Sequence, residues 1–300
     1  MARLAELLAR KRILVSDGAW GTQLQATGLE AGECAELWNV LHPERVRAVA
    51  AAYVAAGADL ILTNTFQGSP LALERHGLSE RTEELNAAGA RLSLEAAAGT
   101  EVLVAASIGP TGALLAPLGE LSPGELERIF SAQIRAVACA GVRLLCIETM
   151  TAIEEACAAV RAAKSVGREL GLELEVMATM TYERAPAGFR TVMGVDIPRA
   201  VRELEEAGAE VLGSNCGNGI EQMAPIVAEY RRYTSRPLLI QPNAGLPHLE
   251  GGRTVFRQSP QDMARFVPQL IEAGADIIGG CCGTGPEHIR AIRRAVDLMR

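Results

Sequence analysis

Three cysteines in glycine-rich segments are the residues of this chain best suited to chemistry. Cys216 lies in the run SNCG, and Cys281 and Cys282 lie in the run GGCCGT. Thiolates bind zinc at about 2.3 Å, and three protein ligands leave the fourth position open, as in catalytic zinc sites. The neighbouring glycines let backbone and ligand approach closely. Alternatively, the three cysteines are small residues that only pack, since their spacing matches no zinc finger or ribbon.

Two carboxylates and one amide are further candidates, because each lies at the end of an apolar run. Asp17 precedes Gly18, Glu148 follows the run LLCI, and Asn243 follows the run LLIQP. A carboxylate in apolar surroundings requires a partner, since burying an unpaired charge is unfavourable. That partner could be a substrate ammonium group, or loop amides or an arginine in a structural role. Asn243 could contact substrate, or offer its oxygen to the open zinc position when no substrate is bound.

The elements that must position these groups alternate regularly along the chain. Hydrophobic periodicity predicts strands at Ile13–Asp17, Asp59–Thr63, Glu101–Ser107, Arg143–Glu148, Leu172–Met180, Glu210–Ser214, Pro237–Gln241 and Ala275–Gly279. Each strand is followed by a predicted helix, at Pro43–Ala56, Glu80–Ala98, Pro123–Ala140, Ala152–Glu169, Asp196–Ala207, Ile220–Tyr233, Pro260–Ala273 and Pro286–Met299.

A short glycine motif recurs where predicted helices end and strands begin. It reads AGAD at residues 56–59, and related forms occur at 140–143, 207–210 and 273–276. Glycine in the left-handed conformation ends a helix and lets the chain turn into the next strand. Repetition of one βα unit predicts a single α/β domain over residues 1–300 with the (β/α)8 TIM-barrel fold, rather than an open sheet of six or seven strands. Catalytic groups of that fold lie at the C-terminal ends of the strands, where all the candidate residues fall.

The remaining cysteines and the histidines show no ligand spacing. Cys139 and Cys157 lie in predicted helices among apolar neighbours and are predicted to fill the core. Cys146 lies in a predicted strand and faces either the barrel interior or the helices, and Cys34 in an early loop is undecided. The histidines are predicted to be surface or capping residues rather than bases: His42, His76, His248 and His288.

Composition excludes several classes of function. The chain has 300 residues, with 29 basic and 36 acidic side chains and a net charge of −7. Such a surface repels phosphates on average, so neither nucleic acid nor membrane is a predicted partner. Seven cysteines cannot all pair in disulfides, which favours reduced thiols and a cytoplasmic location. The first residues alternate charged and apolar side chains, so no signal peptide is predicted.

Five segments at the predicted strand ends, taken together, resemble the homocysteine-binding domain of the homocysteine S-methyltransferase family. They are 17–22 (DGAWGT), 62–66 (LTNTF), 108–112 (IGPTG), 242–245 (PNAG) and 279–284 (GGCCGT), and the resemblance runs from about residue 13 to residue 292. It implies a zinc-dependent barrel that methylates the sulfur of homocysteine to give methionine. The implied zinc ligands are Cys216, Cys281 and Cys282. The residues implied to hold the amino-acid end of homocysteine are Asp17, Gly18 and Glu148.

The methyl donor distinguishes the branches of this family. Members that use betaine have an aromatic residue where this chain has Gln67, whose side chain offers no ring face to a quaternary ammonium group. Members that use S-methylmethionine have an arginine where this chain has Gly283. The loops are most similar to the first module of cobalamin-dependent methionine synthase. Because no corrinoid or folate module is recognisable before Arg300, the expected donor is a methyl-corrinoid on a separate protein.

Other functions remain open from the sequence. The same site could use S-methylmethionine or betaine as the donor, or methylate another small thiol or a selenol. A phosphate-binding isomerase or aldolase would use glycine-rich loops after the last two strands, but here the last loop carries two cysteines and no lysine ends a strand. A thiolate metal-binding or docking protein without catalysis is the third possibility.

Overall fold

Eight parallel strands arranged as a barrel position the candidate residues. The computed structural model describes residues 3–113, 119, 121–186, 188–251 and 253–299. In chain order, the strands are β1 Leu14–Val15, β2 Leu60–Leu62, β3 Leu103–Ile108, β4 Leu144–Met150, β5 Glu175–Met180, β6 Glu183–Ala185, β7 Gly188–Arg190, β8 Val211–Gly219, β9 Leu238–Asn243, β10 His248–Glu250, β11 Arg253–Val255 and β12 Ile277–Ile278.

The main sheet has the strand order β1-β12-β9-β8-β5-β4-β3-β2, and all of its pairings are parallel. Its two outer strands also meet, through a parallel bridge between Ser16 and Leu60. The Asp17 amide donates to the Leu60 carbonyl at 2.9 Å, and the Asp59 amide donates to the Val15 carbonyl at 2.7 Å. The sheet therefore closes, and the predicted (β/α)8 barrel is confirmed.

Helices surround the barrel and connect its strands. They are α1 Arg3–Lys11, α2 Gly21–Ala26, α3 Trp38–Leu41, α4 Pro43–Ala55, α5 Pro70–Glu74, α6 Thr82–Ala97, α7 Pro123–Cys139, α8 Ile153–Leu170, α9 Ile197–Ala207, α10 Met223–Arg231, α11 Pro260–Ala264, α12 Val267–Ala273 and α13 Pro286–Asp297. No helix in the described ranges is both long enough and apolar enough to span a bilayer.

The core has an inner and an outer layer. Between the sheet and the helices lies a large apolar cluster, and a smaller cluster fills the barrel itself. The inner cluster consists of Leu4, Leu7, Leu14, Leu60, Leu62, Ala105, Leu144, Cys146, Met177, Val211, Leu239 and Ile277. Leu4 and Leu7 come from α1 and close the end of the barrel where the strands begin, beside Leu103 and Leu144. Cys146 thus faces the barrel interior, one of its two expected positions.

The structure corrects two predictions and adds two short hairpins. The helix predicted over Pro260–Ala273 is divided into α11 and α12, because Pro268 has no amide hydrogen and its ring clashes with the preceding turn. The hairpins β6–β7 and β10–β11 were not predicted, since each strand has only three residues. Cys139 does not fill the core as predicted, because it is the last residue of α7 and points to solvent.

Candidate active site

The three candidate cysteines come together at the rim of the barrel where the strands end, its C-terminal rim. Cys216 lies in β8, and Cys281 and Cys282 lie in the loop after β12. Their Sγ atoms all lie within 4.8 Å of one another, and the Cys216 and Cys282 sulfurs are 4.0 Å apart. Zinc–thiolate bonds of about 2.3 Å in a tetrahedron place sulfurs about 3.8 Å apart. The cluster therefore has the size of a divalent metal site and needs only a slight contraction to hold the ion.

Backbone geometry directs each sulfur to this point. Cys216 has φ of 60°, an uncommon left-handed conformation for a residue with a side chain, and Gly217 continues it with φ of 69°. The pairing of β8 with β9 is irregular here, between Asn215 and Gly219. A strained residue costs roughly 1–3 kcal/mol and persists only where its surroundings hold it. The kink turns the Cys216 side chain away from the run of the strand and towards the other two cysteines.

The cysteine pair after β12 is held by the end of β9. The Cys281 amide donates to the Pro242 carbonyl at 2.7 Å, and the Cys282 amide donates to Asn243 Oδ1 at 3.0 Å. The Asn243 side chain is also hydrogen-bonded to Cys216, which lowers the pKa of that thiol. Asn243 thus contacts both loops that carry cysteines. Its predicted roles, as a contact to substrate or as a temporary ligand, remain predictions.

The three thiols do not titrate alike. Hydrogen bonds from Cys281 and Cys282 lower the pKa of Cys216, whereas the same contact with Cys216 raises the pKa of Cys281 and of Cys282. One thiolate is stabilised by its two neighbours, and its charge then opposes ionisation of the others. Binding of a metal dication to all three sulfurs must therefore displace the remaining protons.

Asp17 lies fully buried just after β1. Its Oδ2 accepts hydrogen bonds from the Leu62 amide at 2.7 Å and from Trp20 Nε1 at 2.9 Å. Its Oδ1 is buried and finds no hydrogen-bond partner among the described residues. Burial raises the pKa of Asp17 to about 7, against the lowering effect of those hydrogen bonds. The carboxylate therefore has one oxygen fixed and one available to a cationic ligand.

Glu148 lies near the end of β4 and is almost completely buried. Ser107 Oγ donates to its Oε1 at 2.5 Å, and Asn215 Nδ2 donates to its Oε2 at 3.3 Å. Burial raises the pKa of Glu148 to about 8, and the nearby charges of Asp17 and Cys216 raise it further against the hydrogen bond from Ser107. No ion pair to Asp17 or Glu148 is found within the described ranges. The two acids and the thiols thus form one site without a protein cation.

Gly18 provides close backbone approach beside Asp17. A Cβ atom at this position would lie 2.7 Å from Thr284 Oγ1 and 3.0 Å from Tyr53 Oη, so only glycine fits. Gly283, in the cysteine loop, is similarly restricted. It has φ of +81°, and an added Cβ would lie 2.3 Å from the Phe256 side chain. Both loops are therefore packed to the limit that glycine allows.

Asn215 is the residue that the sequence analysis did not single out. Its side chain contacts Glu148, Thr149, Thr179 and the sulfur of Cys281, so it connects the acidic and the thiol parts of the site. A signal was present, since Asn215 follows the predicted strand Glu210–Ser214 and directly precedes Cys216. Its many contacts could not be read from the sequence, because they depend on the register of three strands.

Comparison with known proteins identifies the family. The family model for homocysteine S-methyltransferases matches residues 14–296. The chain belongs to the homocysteine S-methyltransferase family. The family and the fold predicted from the strand-end segments are thereby confirmed.

A homocysteine S-methyltransferase of known structure superposes over nearly the whole chain. This is the homocysteine methyltransferase MmuM from Escherichia coli in its metallated form, with 27% identity, a TM-score of 0.79, and coverage of 97% of this chain and 99% of that one. The carboxyl transferase domain of pyruvate carboxylase from Rhizobium etli, with 15% identity and a TM-score of 0.52, shares only the fold.

Curated relatives include methionine synthase from Mycobacterium tuberculosis and from Mycobacterium leprae, each 28% identical. The matches cover 97% and 98% of this chain, respectively. The chain spans about a quarter of the length of these relatives, since the matches cover 25% of each.

Proposed function

We propose that this chain binds homocysteine as a zinc-bound thiolate and methylates its sulfur to give methionine. The observation that carries this proposal is the pairing of two features at one barrel rim. Three cysteine sulfurs lie within 4.8 Å of one another, and Glu148 is linked to one of them, Cys281, through Asn215. A metal site for a thiol beside unpaired acids for an ammonium group matches the two ends of an amino-acid thiol.

The donor set favours zinc among the divalent ions. Soft thiolate ligands select zinc over magnesium or calcium, and three protein ligands leave one position for substrate. When bound, zinc would displace the proton of the substrate thiol and keep it as a thiolate at neutral pH. As thiolates, Cys216, Cys281 and Cys282 would offset the dication to a net charge of −1, so the substrate sulfur stays electron-rich. These cysteines would thus both bind the zinc ion and keep the substrate sulfur nucleophilic.

The amino-acid end of the substrate would be held by Asp17 and Glu148. Asp17 presents a buried Oδ1 without a partner, and Glu148 lies close enough for the charge of Asp17 to raise its pKa. An ammonium group between them would stabilise both carboxylates and lower their pKa values. Gly18 would let the substrate approach the backbone next to Asp17. The ammonium group would fix the orientation of the chain that leads to the sulfur.

Methyl transfer to a thiolate is an in-line displacement at carbon. The sulfur lone pair forms the new S–C bond, and the bond between the methyl group and the donor breaks with its electrons left on the donor. No proton has to be removed at this step, so the residues act by positioning rather than as general bases. This agrees with the site, in which hydrogen bonds hold the buried acids, and among the described residues no histidine is hydrogen-bonded to these acids or to the three cysteines.

For the donor, the proposal is a methyl-corrinoid carried by a separate protein that docks at the rim. Support comes from the strand-end loops, which are most similar to the first module of cobalamin-dependent methionine synthase. The backbone amide of Gln67 donates a hydrogen bond to Glu36 Oε1 at 2.7 Å. The Gln67 side chain offers no aromatic face to the quaternary ammonium group of betaine. Position 283, where users of S-methylmethionine are expected to carry an arginine, is a glycine with Phe256 packed against it. The unpaired state of all seven cysteines supports a reducing, cytoplasmic location.

A matrix of acceptors and donors tests this function. The protein, loaded with zinc, is assayed with homocysteine, cysteine and a small selenol against methylcobalamin, a methyl-corrinoid protein, S-methylmethionine and betaine. Methionine formation from homocysteine with the corrinoid donors supports the proposal. Turnover with S-methylmethionine or betaine at a comparable rate contradicts the proposed donor, and activity that persists after zinc is removed contradicts the zinc mechanism.

A further inference from the structure

The Asn215 side chain occupies a central place between the two parts of the site. It lies on β8, one residue before Cys216, and is completely buried. Its Oδ1 accepts hydrogen bonds from the Thr149 amide and from Thr179 Oγ1, both at 2.7 Å. A backbone N–H can only donate a hydrogen bond, so the Asn215 atom that faces the Thr149 backbone amide must be the oxygen. The orientation of the Asn215 amide is therefore fixed by its surroundings.

The fixed orientation sends the Nδ2 group towards both functional groups. Nδ2 donates to Thr149 Oγ1 at 2.8 Å, and it also lies 3.3 Å from Glu148 Oε2 and 3.8 Å from Cys281 Sγ. An amide nitrogen has two hydrogens. Once one is directed to Thr149, the other lies between the Glu148 carboxylate and the Cys281 sulfur. A single side chain thus connects the acid with the thiol cluster.

Backbone strain is concentrated around the same side chain. Three non-glycine residues in the described ranges have a left-handed backbone, and two of them are Thr149 and Cys216. Thr149 is β-branched, for which this conformation is especially unfavourable. Asn215 contacts both the amide and the hydroxyl of Thr149, and it is joined covalently to Cys216. The kinks that direct Glu148 and Cys216 into the site therefore share one support.

We propose that Asn215 is a positioning residue that fixes the spacing between Glu148 and the cysteine cluster and thereby selects the chain length of the acceptor. The inference rests on the proposed function, since it takes an amino thiol as the acceptor. Homocysteine and cysteine differ by one methylene between the α-carbon and the sulfur. An acceptor held at both ends must match the distance between the two anchors, and one methylene changes that match by roughly 10–200-fold in other enzymes.

Removing Asn215 would uncouple the two anchors. Without the Asn215 amide, Thr149 loses both hydrogen bonds to that side chain, and the Glu148 carboxylate keeps the hydrogen bond from Ser107 as its only one among the described residues. The carboxylate could then shift relative to the sulfurs, so that a shorter acceptor also reaches both ends. The effect would appear in acceptor choice and affinity more than in the rate of the chemical step.

Three variants and two acceptors test the proposal. Asn215→Ala removes the coupling, and Thr179→Val removes only one hydrogen bond to Asn215 Oδ1 at nearly constant volume. Thr181→Val is the matched control, because Thr181 Oγ1 donates at 3.0 Å to the backbone carbonyl of Asn215 and not to its side chain. Zinc content is measured by atomic absorption, dissociation constants for homocysteine and cysteine by calorimetry, and KM and kcat by turnover.

The expected results are graded. The wild-type protein should prefer homocysteine over cysteine by at least about 10-fold. Asn215→Ala should still hold about one zinc, but its preference for homocysteine should be at least about fivefold smaller, mainly through KM. Thr179→Val loses about two- to threefold, and Thr181→Val stays close to wild type. An unchanged preference in zinc-loaded Asn215→Ala overturns the inference. If that variant fails to fold or to hold zinc, equal preferences in Thr179→Val and Thr181→Val overturn it, and a lower preference in Thr179→Val alone supports it.

The outcome is separate from that of the proposed function. A wild-type protein that binds neither acceptor contradicts the proposed function, and the inference falls with it. A wild-type protein that methylates homocysteine but binds cysteine equally well leaves the function intact and overturns only the role of Asn215.

Discussion

The two ends of the barrel each bury aspartate, and they treat it in opposite ways. At the end where the strands begin, Asp59 accepts hydrogen bonds from Lys11 Nζ at 2.6 Å, Arg293 Nη1 at 2.8 Å and the Val15 amide at 2.9 Å. At the end where the strands finish, Asp17 is fully buried and has neither a lysine nor an arginine partner in the described ranges. One carboxylate is neutralised by the protein itself, whereas the other is left for something else to neutralise.

This difference separates a carboxylate that the protein pairs from one that it leaves unpaired. Burying a carboxylate is unfavourable unless it is paired, so the pairs of Asp59 satisfy a requirement of folding. Asp17 and Glu148 leave that requirement unmet, and burial raises the pKa of each, to about 7 and about 8. Strongly raised carboxyl pKa values in a cleft are typical of functional sites. The rim carries a stability cost that a cationic substrate group would remove.

The largest expected effect comes from breaking the thiol cluster. Cys281→Ser removes one of three proposed ligands, so zinc should be lost together with methyl transfer, by more than the roughly 10–100-fold typical of changes beside a metal ligand. Zinc content and turnover measure this. Cys139→Ser, at an exposed thiol on the far end of α7, is the matched control and should leave both unchanged. Full activity of a zinc-free Cys281→Ser protein would refute the role of the cluster.

The next effect concerns the other end of the barrel. Asp59→Asn leaves Lys11 and Arg293 without their shared anion, so the free energy of unfolding should fall by about 3 kcal/mol while the KM for homocysteine stays the same. Chemical denaturation measures the free energy of unfolding, and turnover measures the KM for homocysteine. Glu84→Gln, in an exposed pair with Arg81, is the control and should leave the free energy of unfolding nearly unchanged, because solvent screens the pair. A large change of KM in Asp59→Asn would remove the distinction between the two ends.

The converse change is made at the rim. Glu148→Gln removes the charge that would hold the substrate ammonium group, and homocysteine binding should weaken by about 10–100-fold. Stability at pH 8 should be kept or increased, because a neutral amide replaces an unpaired buried acid. Calorimetry and denaturation report the two quantities. Glu210→Gln, in a pair with Lys164 at the opposite end, should not alter homocysteine binding. Loss of stability without loss of binding in Glu148→Gln would assign Glu148 to structure instead.

The smallest effect is a change in the pH dependence of stability. A carboxyl whose pKa is raised in the folded state holds its proton longer there than in the unfolded chain, so its contribution to stability falls as pH rises. For Asp17 this fall extends from about pH 4 to about pH 7, and for Glu148 to about pH 8. Unfolding measured over this range in the substrate-free protein should decline less steeply for Asp17→Asn and Glu148→Gln. Slopes identical to wild type would show that the two acids are not perturbed.

The fold could be predicted because its signal is distributed and local. Every predicted barrel strand is present, since apolar runs, glycine helix ends and helical periodicity repeat along the chain. The convergence of Cys216 with Cys281 and Cys282 followed from the rule that strand ends meet at one rim. Whether they bind zinc, and whether Asp17, Gly18, Glu148 and Asn243 bind substrate, remain predictions that the variants above can decide.

What could not be predicted depends on contacts between distant segments. Helix α1 covers the end of the barrel where the strands begin, because Leu4 and Leu7 reach the inner cluster. The start of the sequence alone gives no sign of this contact. The role of Asn215 depends on the register that places it beside Thr149 and Cys281. Cys139 was placed in the core from its apolar neighbours, but its angular position on α7 exposes it.

The contact between Phe256 and Gly283 also limits how this site could change during evolution. Any side chain at position 283 would need both a left-handed backbone and the space that the phenylalanine fills. A substitution at 283 is therefore damaging unless residue 256 has already become smaller. Sterics therefore set the order of these two substitutions, with a change at residue 256 before a change at residue 283.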